Sequence, residues 1–194
     1  MNVSRETISR LKEYQRLLEL WQKKLNLVSS SSLAMAWERH FVDSYQLLSY
    51  LPPGPISLID LGSGAGFPGL VLAILRPETL FVTLVESDFK KCMFLENVSR
   101  ETFSPVTILN SRLESLQGIQ GDVITARGLA PLSQLLNYAF LVMHEKSIGL
   151  FLKGKEFEKE IKDAQKNWEF ELEIYPSLTE SAGRILKLAH LRKK

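Results

Sequence analysis

DLGSGAGFPG, at residues 60–69, is the most informative segment of this 194-residue chain. It follows the short apolar run ISLIDL and leads into FPGLVLAILR, which we predict to be a helix closed by Pro77. Glycines at alternate positions let the backbone turn sharply and approach a ligand closely, because no Cβ intervenes. The helix start offers unpaired backbone N–H groups to a negatively charged ligand group. The segment therefore predicts a strand, a tight turn with a ligand site, and a helix.

Similar apolar runs recur after this unit and alternate with predicted helices. The predicted strands are ISLIDL, LFVTLVE, PVTILN, DVITAR and SIGLFLK. Short buried strands that alternate with helices of about 10–15 residues indicate βαβ units and a parallel sheet covered on both faces. Two later runs, WEFELEIYPSL and GRILKLAHL, have no helix between them and should be antiparallel. The predicted fold class is α/β, a Rossmann-like doubly wound sheet with an antiparallel C-terminal hairpin.

The chain before this region has a different pattern, with predicted helices only. Apolar residues at spacings of three and four predict an amphipathic first helix: Leu11, Tyr14, Leu18, Trp21 and Leu25. A second predicted helix runs from about Ser32 to Leu51 and is stopped by the proline-rich turn PPGP at residues 52–55. We expect residues 1–53 to form a helical extension packed on the core, and residues 54–194 to form a single compact domain.

Composition indicates a packed chain without disulfide bonds. Hydrophobic residues make up 45% of the sequence, and 24 Lys and Arg face 22 Asp and Glu, so disorder is not expected. The single cysteine, Cys92, excludes a disulfide scaffold and a CxxC-type zinc site. No run of 18 apolar residues and no signal peptide is present, so we expect a cytoplasmic protein with no membrane partner. The middle of the chain is slightly acidic between slightly basic ends, which suits a cationic ligand and a polyanion, or an ordinary solvated surface.

Two ligands compete for the glycine turn. Gly64, Gly66 and Gly69 spell GxGxxG, which taken alone suggests a dinucleotide. However, Asp60 stands two residues before Gly62, and a carboxylate there would repel a pyrophosphate. S-adenosylmethionine carries a sulfonium and an α-ammonium group and has no phosphate, so we expect the Asp60 carboxylate beside the turn to attract it. We therefore favour S-adenosylmethionine as the cofactor over NAD.

The ends of the next strands offer contacts to a nucleoside. Glu86 ends the second strand, where a carboxylate accepts hydrogen bonds from ribose hydroxyls, although an acid near a helix start is the alternative. Asp88 is the better candidate for capping the following helix. Leu113 and Glu114 follow the third strand, in the loop where an adenine ring would lie. Arg127 ends the fourth strand, at the carboxyl edge where open α/β sheets bind ligands.

The segments quoted so far belong to a longer series of motifs, which resembles a known family. The series is YQRLLELWQKKLNL, WERHFVDS, DLGSGAGFPG, ESDFKKCMFL, ARGLAPL and KGK, in this order over nearly the whole chain. It resembles the bacterial 16S rRNA guanine-N7 methyltransferases, historically called glucose-inhibited division protein B. The resemblance implies a class I methyltransferase fold, S-adenosylmethionine as methyl donor and a guanine of 16S rRNA as acceptor.

The resemblance also implies where the donor is held. It places Gly62, Phe67, the pair at residues 113–114 and Arg127 at the donor site, and we add Gly64 and Glu86 from the general fold. Guanine N7 is a lone-pair nucleophile without a proton to lose, so we assign no catalytic base and expect no metal. Arg127 stays protonated and is expected to position a substrate or donor group.

Basic residues are the candidates for RNA contact. The predicted RNA-binding residues are Arg39, His40, Lys90, Lys91, Lys153, Lys155 and Arg184. We expect the two lysines of KGK to reach outward from the end of the fifth strand. The alternative for His40 is a helix-face histidine bonded to Asp43 or to backbone.

The expected partner is 16S rRNA, in a 30S subunit or an assembly intermediate, and nothing in the sequence demands a dimer, so a monomer is expected. Two other functions stay open at this point. One is a catalytically silent RNA-binding or assembly factor with a methyltransferase fold, and the other is an NAD-dependent oxidoreductase.

Overall fold

The computed structural model describes residues 3–194. Its helices are α1 (Arg5–Gln22), α2 (Ser30–Leu33), α3 (Asp43–Tyr45), α4 (Gly69–Leu75), α5 (Phe89–Glu101), α6 (Leu132–Val142) and α7 (Phe157–Ala164). Its strands are β1 (Ile56–Leu61), β2 (Leu80–Glu86), β3 (Thr107–Asn110), β4 (Gly121–Arg127), β5 (Met143–Lys153), β6 (Trp168–Pro176) and β7 (Arg184–Lys193). A π-helical turn spans Trp37–Val42, and 3₁₀ turns span Gln46–Tyr50 and Leu113–Ser115.

The seven strands form one sheet in the order β3-β2-β1-β4-β5-β7-β6. Strands β1 to β5 are parallel, whereas β7 pairs antiparallel with both β5 and β6. The predicted α/β class and the antiparallel C-terminal pair are therefore confirmed. The strand order reverses between β1 and β4, and ligands bind beyond the carboxyl ends of strands at such a point. The glycine turn follows β1 and Arg127 ends β4, so the two lie side by side there.

Apolar side chains pack in two clusters. Successive residues of a strand point to opposite faces of the sheet, and accordingly Leu58 belongs to the first cluster and Ile59 to the second. The first cluster includes buried residues of α1, α4 and α5, and the second includes those of α6 and α7. Helix α1 packs against α4 and α5. The apolar stripe predicted for α1 is confirmed, since its Leu11, Tyr14 and Leu18 are fully buried.

The single helix predicted for about Ser32 to Leu51 is wrong in its continuity. The chain forms the four-residue helix α2, and a separate helical segment then begins at Trp37 with a π-helical turn. The wider turn leaves the N–H of Asp43 bonded to the carbonyls of Glu38 and His40, and the hydroxyl of Ser44 also donates to the His40 carbonyl at 2.7 Å. These local bonds are not visible in apolar spacing. The predicted stop before the prolines is confirmed.

No helix among residues 3–194 combines the length and the apolar character that crossing a membrane requires.

Candidate active site

Two adjoining clefts open at the carboxyl edge of the sheet. The first has a volume of about 540 Å³ and is lined by the turns after β1, β2, β3 and β4. The second has a volume of about 500 Å³ and lies between the π-helical turn, the end of β5 and the β6–β7 turn. Residues 127–131, which follow β4, line both clefts. A group bound in one cleft therefore lies next to a group bound in the other.

The first cleft brings together the residues predicted to hold the methyl donor. All seven line it: Gly62, Gly64, Phe67, Glu86, Leu113, Glu114 and Arg127. They come from four different strand ends, over 66 positions of sequence. A cleft of this size lies within the usual range of about 300–1,000 Å³ for small-molecule sites.

The glycine turn has the backbone that only glycine adopts readily. Gly62 and Gly64 have φ angles of +64° and +56°. A Cβ on Gly64 would have no neighbour closer than a backbone oxygen at 3.9 Å, so this position borders open space in the cleft. At Gly66 a Cβ would collide with the hydroxyl of Tyr14, which donates a hydrogen bond to the Ala65 carbonyl. Tyr14 of α1 therefore supports the turn on its protein side, while the lack of a side chain at Gly64 leaves the first cleft open on the other side.

Glu86 holds this turn in place. Its carboxylate accepts one hydrogen bond from the Gly64 N–H and another from the Asp88 N–H, both at 2.8 Å. Asp88 caps α5 as predicted, by accepting from the backbone N–H groups of Lys90 and Lys91. Each oxygen of the Glu86 carboxylate still has a lone pair for a ligand hydroxyl. The side chain thus joins two of the turns that line the cleft.

Asp60 has a different place from the one predicted. It is completely buried beneath the turn and does not line either cleft, so direct attraction of a cationic donor by its carboxylate is wrong. Its oxygens accept hydrogen bonds from the Thr125 hydroxyl at 2.7 Å and the Gly69 N–H at 3.3 Å. Burial raises the pKa of this carboxyl to about 6. Asp60 fixes the start of α4 against β1 and β4.

Glu114 is held by Tyr138, which is bonded in turn by Gln134, and sequence reasoning missed both of these residues. The Tyr138 hydroxyl donates to its carboxylate at 2.9 Å, and Gln134 donates to the same hydroxyl at 2.7 Å. A bond from its own backbone N–H and the bond from Tyr138 lower the pKa of Glu114. Both α6 residues line the first cleft. Their spacing of four places both side chains on one face of a helix, but the sequence does not show that this face lies beside the loop after β3.

The N-terminal segment also reaches the first cleft. Leu27 and Val28 line it, just after α1. The side-chain carbonyl of Gln22 accepts from the backbone N–H groups of both residues, at 2.9 and 3.0 Å, and its amide donates to the Val28 carbonyl at 2.8 Å. These bonds fix the loop that follows α1. No motif in the sequence pointed to this contribution.

Phe67 lines the first cleft, but neighbouring side chains cover its ring. Tyr14 stacks on it with a centroid distance of 5.3 Å, and His40 stacks on it at 4.8 Å. The guanidinium of Arg127 also lies over the ring, 5.0 Å from its centroid. Only 4% of Phe67 is exposed. The ring therefore packs against the residues around the cleft and has little surface left for a ligand.

His40 does not offer a positive charge on the surface. It is 93% buried on the Phe67 ring, and its Nδ1 lies 2.8 Å from a terminal nitrogen of Arg127. Burial, with the charges of Arg127 and Arg39, lowers the pKa of His40 to about 3, so the imidazole is neutral. Since arginine only donates, Nδ1 accepts and Nε2 carries the proton. The alternative considered for His40, a ring bonded to Asp43 or to backbone, names the wrong partner, because the ring binds Arg127.

Lys153 is also placed differently from the prediction. It does not reach outward, because its ammonium donates to the Ala130 carbonyl and pairs with Glu160, each at 2.6 Å. Its side chain is only 9% exposed. It fixes the segment shared by the two clefts. Lys155, two residues on, is exposed and outside both clefts.

The remaining predicted RNA contacts surround the clefts. Arg39 is exposed and Arg184 partly exposed, and both line the second cleft. Arg39 lies 3.7 Å from Glu180, and the guanidinium of Arg184 lies 5.2 Å from the centroid of the Phe157 ring. Lys91 lines the first cleft, whereas the exposed Lys90 beside it lines neither.

Comparison with known proteins identifies the family of this chain. The family model described as GidB, rRNA small subunit methyltransferase G, matches residues 7–186. The ribosomal RNA small subunit methyltransferase G of Parvibaculum lavamentivorans is 46% identical over 194 residues, which cover 98% of this chain and 86% of that protein. The protein of the same name from Paramagnetospirillum magneticum is 47% identical over 191 residues, covering 98% and 91%.

Solved structures agree on the fold. A SAM-dependent methyltransferase from Aquifex aeolicus is similar with a TM-score of 0.62, covering 90% of this chain and 97% of that one. The sequences are only 14% identical, so this similarity bears on the architecture alone.

Proposed function

Because this chain belongs to the rRNA small subunit methyltransferase G family, we propose that it is an S-adenosylmethionine-dependent enzyme that methylates N7 of a specific guanine in 16S rRNA. The observation that supports this most is the pair of adjoining clefts at the carboxyl edge of the sheet. Methyl transfer needs donor and acceptor side by side, and residues 127–131 lie between the two clefts. The first cleft takes the donor and the second takes the guanosine.

The first cleft fits S-adenosylmethionine by its shape and its acceptors. The open space above Gly64 leaves room for the methionine end of the donor. Glu86 has the free lone pairs that ribose hydroxyls require, and Glu114, held by Tyr138, is available to the amino group of adenine. Gly62, Phe67, Leu113 and Arg127 complete this proposed donor site. When bound, the donor supplies an electrophilic methyl group on its sulfonium.

Guanine N7 attacks with its own lone pair, so the protein has no proton to remove. The work of the protein is orientation, because holding reacting atoms in line at near-attack distance contributes about 7–11 kcal/mol to lowering a barrier. Arg127 borders both clefts and carries a permanent charge. We assign it the positioning of acceptor and donor groups. His40 supports it as a neutral hydrogen-bond acceptor.

RNA contact is assigned to exposed or partly exposed basic residues in and around the clefts, with phosphates as their targets. The proposed contacts are Arg39, Lys90, Lys91, Lys155 and Arg184. Lys153 and His40 are withdrawn from this set, because both are buried and already bonded. The substrate form, either a 30S subunit or an assembly intermediate, is part of the proposal, as are a monomeric state and a cytoplasmic location.

We also propose that residues 1–53 do not act as a separate unit from 54–194. Helix α1 packs on α4 and α5, and the loop after α1 lines the donor cleft. The extension would then be part of the catalytic unit.

Incubation of the purified protein with methyl-labelled donor and 30S subunits tests the function. We expect label in 16S rRNA and a single N7-methylguanine, mapped by alkali and aniline scission. Calorimetry should detect S-adenosylmethionine binding and no NAD binding. A protein that binds the donor and RNA but transfers no methyl group to 30S subunits or to their precursors would be a silent assembly factor instead.

A further inference from the structure

The π-helical turn and its flank form a receptor for Arg127. The main-chain carbonyl of Arg39, the Nδ1 of His40 and the carboxylate of Asp43 all bind the Arg127 guanidinium, at 2.9, 2.8 and 3.1 Å. These three residues belong to the sequence motif RHFVDS, residues 39–44. Ser44, the last residue of that motif, donates to the His40 carbonyl and stabilises the turn. The motif thus has a common structural task.

The receptor leaves part of Arg127 available. A guanidinium has five N–H donors, and three of them are bound to the motif. Within residues 3–194 the other two donors have no hydrogen-bond partner, and Arg127 lines both clefts. The guanidinium also lies over the phenyl ring of Phe67, 5.0 Å from its centroid.

Asp43 is the carboxylate that balances the charge of Arg127. The two side chains are 14% and 19% exposed, and among the described residues Asp43 is the acid that forms an ion pair with Arg127. The imidazole of His40 contributes no charge, because it is neutral. Without its acid, a partly buried arginine would be more stable if its side chain turned toward solvent.

Asp43 also binds the β6–β7 turn. Its other oxygen accepts hydrogen bonds from the Gln46 amide at 2.8 Å and the Thr179 hydroxyl at 2.7 Å. The side-chain carbonyl of Gln46 in turn accepts a hydrogen bond from the Leu178 N–H at 2.8 Å. One carboxylate therefore connects the N-terminal segment, the end of β4 and a wall of the second cleft.

We propose that Asp43 is a positioning residue for methyl transfer, which fixes Arg127 between donor and acceptor and fixes the β6–β7 turn beside the acceptor. The inference rests on the proposed function of the two clefts. It assigns to the Arg39 main-chain carbonyl, His40 and Asp43 the role of a receptor for Arg127, whereas the Arg39 side chain stays a proposed RNA contact.

Asp43→Asn is a sharp test, because it conserves volume and removes the charge. The Arg127 and Gln46 groups that surround the carboxylate donate hydrogen bonds, and Thr179 also donates in this arrangement. An asparagine amide would direct its own donors at one of these groups. We expect Arg127 to be released and misplaced, and a displacement of about 1 Å in positioning groups lowers rates about 100-fold.

The first measurement is the single-turnover rate of methyl transfer to 30S subunits at saturating donor. Asp43→Asn should lower this rate about 100-fold, while the Kd for S-adenosylhomocysteine changes less than fivefold, because most proposed donor contacts lie on the turns after β1, β2 and β3. Asp163→Asn, an exposed acid on α7 that pairs with Lys166, is the matched control and should keep the parent rate. A rate within threefold of the parent, or a loss explained by unfolding in a thermal melt, would overturn the proposal.

The second measurement does not depend on activity. In the parent, ¹⁵N and ¹³C NMR of the Arg127 guanidinium should show slow rotation about its Nε–Cζ and Cζ–Nη bonds, and Asp43→Asn should make this rotation fast. Thr179→Val removes a bond to Asp43 but not the one to Arg127, so slow rotation should persist. Fast rotation in the parent would overturn the receptor. Slow rotation in a parent that transfers no methyl group would instead contradict the proposed function and leave the receptor standing.

Discussion

Glu86→Gln should weaken donor binding through the protein's own turns as well as through the ligand. The carboxylate accepts hydrogen bonds from two backbone N–H groups, those of Gly64 and Asp88. A glutamine offers one carbonyl oxygen and directs an amide donor at the other N–H. One bond to a charged acceptor is lost, and such bonds contribute about 1.5–3 kcal/mol. Since 1.4 kcal/mol is a factor of ten, donor affinity should fall about 10- to 150-fold.

Two measurements check this prediction. Titration calorimetry with S-adenosylhomocysteine gives the affinity, and hydrogen exchange gives the protection of the Gly64 amide, which should decrease in the variant. Glu78→Gln is the matched control, because Glu78 is exposed and precedes the opposite end of the same strand. If the variant binds within twofold of the parent and the Gly64 amide stays equally protected, Glu86 does not hold the turn and the reasoning is refuted.

Further variants test other parts of the structure. Gly64→Val should abolish measurable donor binding while circular dichroism stays that of the parent, because a branched side chain would enter the open cleft at a φ of +56°; binding like the parent's would contradict the donor site. Burial raises the pKa of Asp60 to about 6 from 3.8, so the folded state keeps a proton that the unfolded state releases. The contribution of Asp60 to the free energy of unfolding should therefore fall as the pH rises from about 4 to 6. In urea titrations, Asp60→Asn should remove roughly 3 kcal/mol of this pH dependence. Lys153→Ala should lower the free energy of unfolding by about 1–3 kcal/mol and leave the salt dependence of RNA binding unchanged. Lys155→Ala should lower the log–log salt slope by about 0.7–0.9 without a loss of stability; the opposite result for the two lysines would reverse their assignment.

Much of the first cleft could be predicted from sequence because its signals are local. The turn at residues 60–69 has positive φ angles at three of its glycines, so the requirement for glycine is visible in the sequence at the same positions. The alternation of apolar runs with helices predicts parallel strands, and the ends of parallel strands lie on one edge. Gly64, Glu86 and Glu114 could therefore be placed in one cleft without coordinates, as the structure has them.

The roles of charged and polar side chains could not be predicted in the same way. Asp60 follows an apolar run next to the glycines, and nothing in that pattern distinguishes an acid facing the ligand from one buried under the turn. Lys153 and Lys155 have the same type and the same neighbour, yet one pairs with Glu160 inside the protein and the other is exposed.

By itself, the sequence determined the class of fold and the position of the glycine turn, because backbone conformation and apolar periodicity depend on neighbours in the chain. The choice of a methyl donor depended on the resemblance to a known family, since the buried Asp60 does not attract the donor directly. Only the tertiary structure decided which charges meet. Arg127 binds residues 84 to 88 positions away, and Asp43 binds Thr179 across 136 positions. The pairing of a buried charge depends on the distance and solvent exposure that the folded chain creates, and neither quantity has a local signal in the order of the residues.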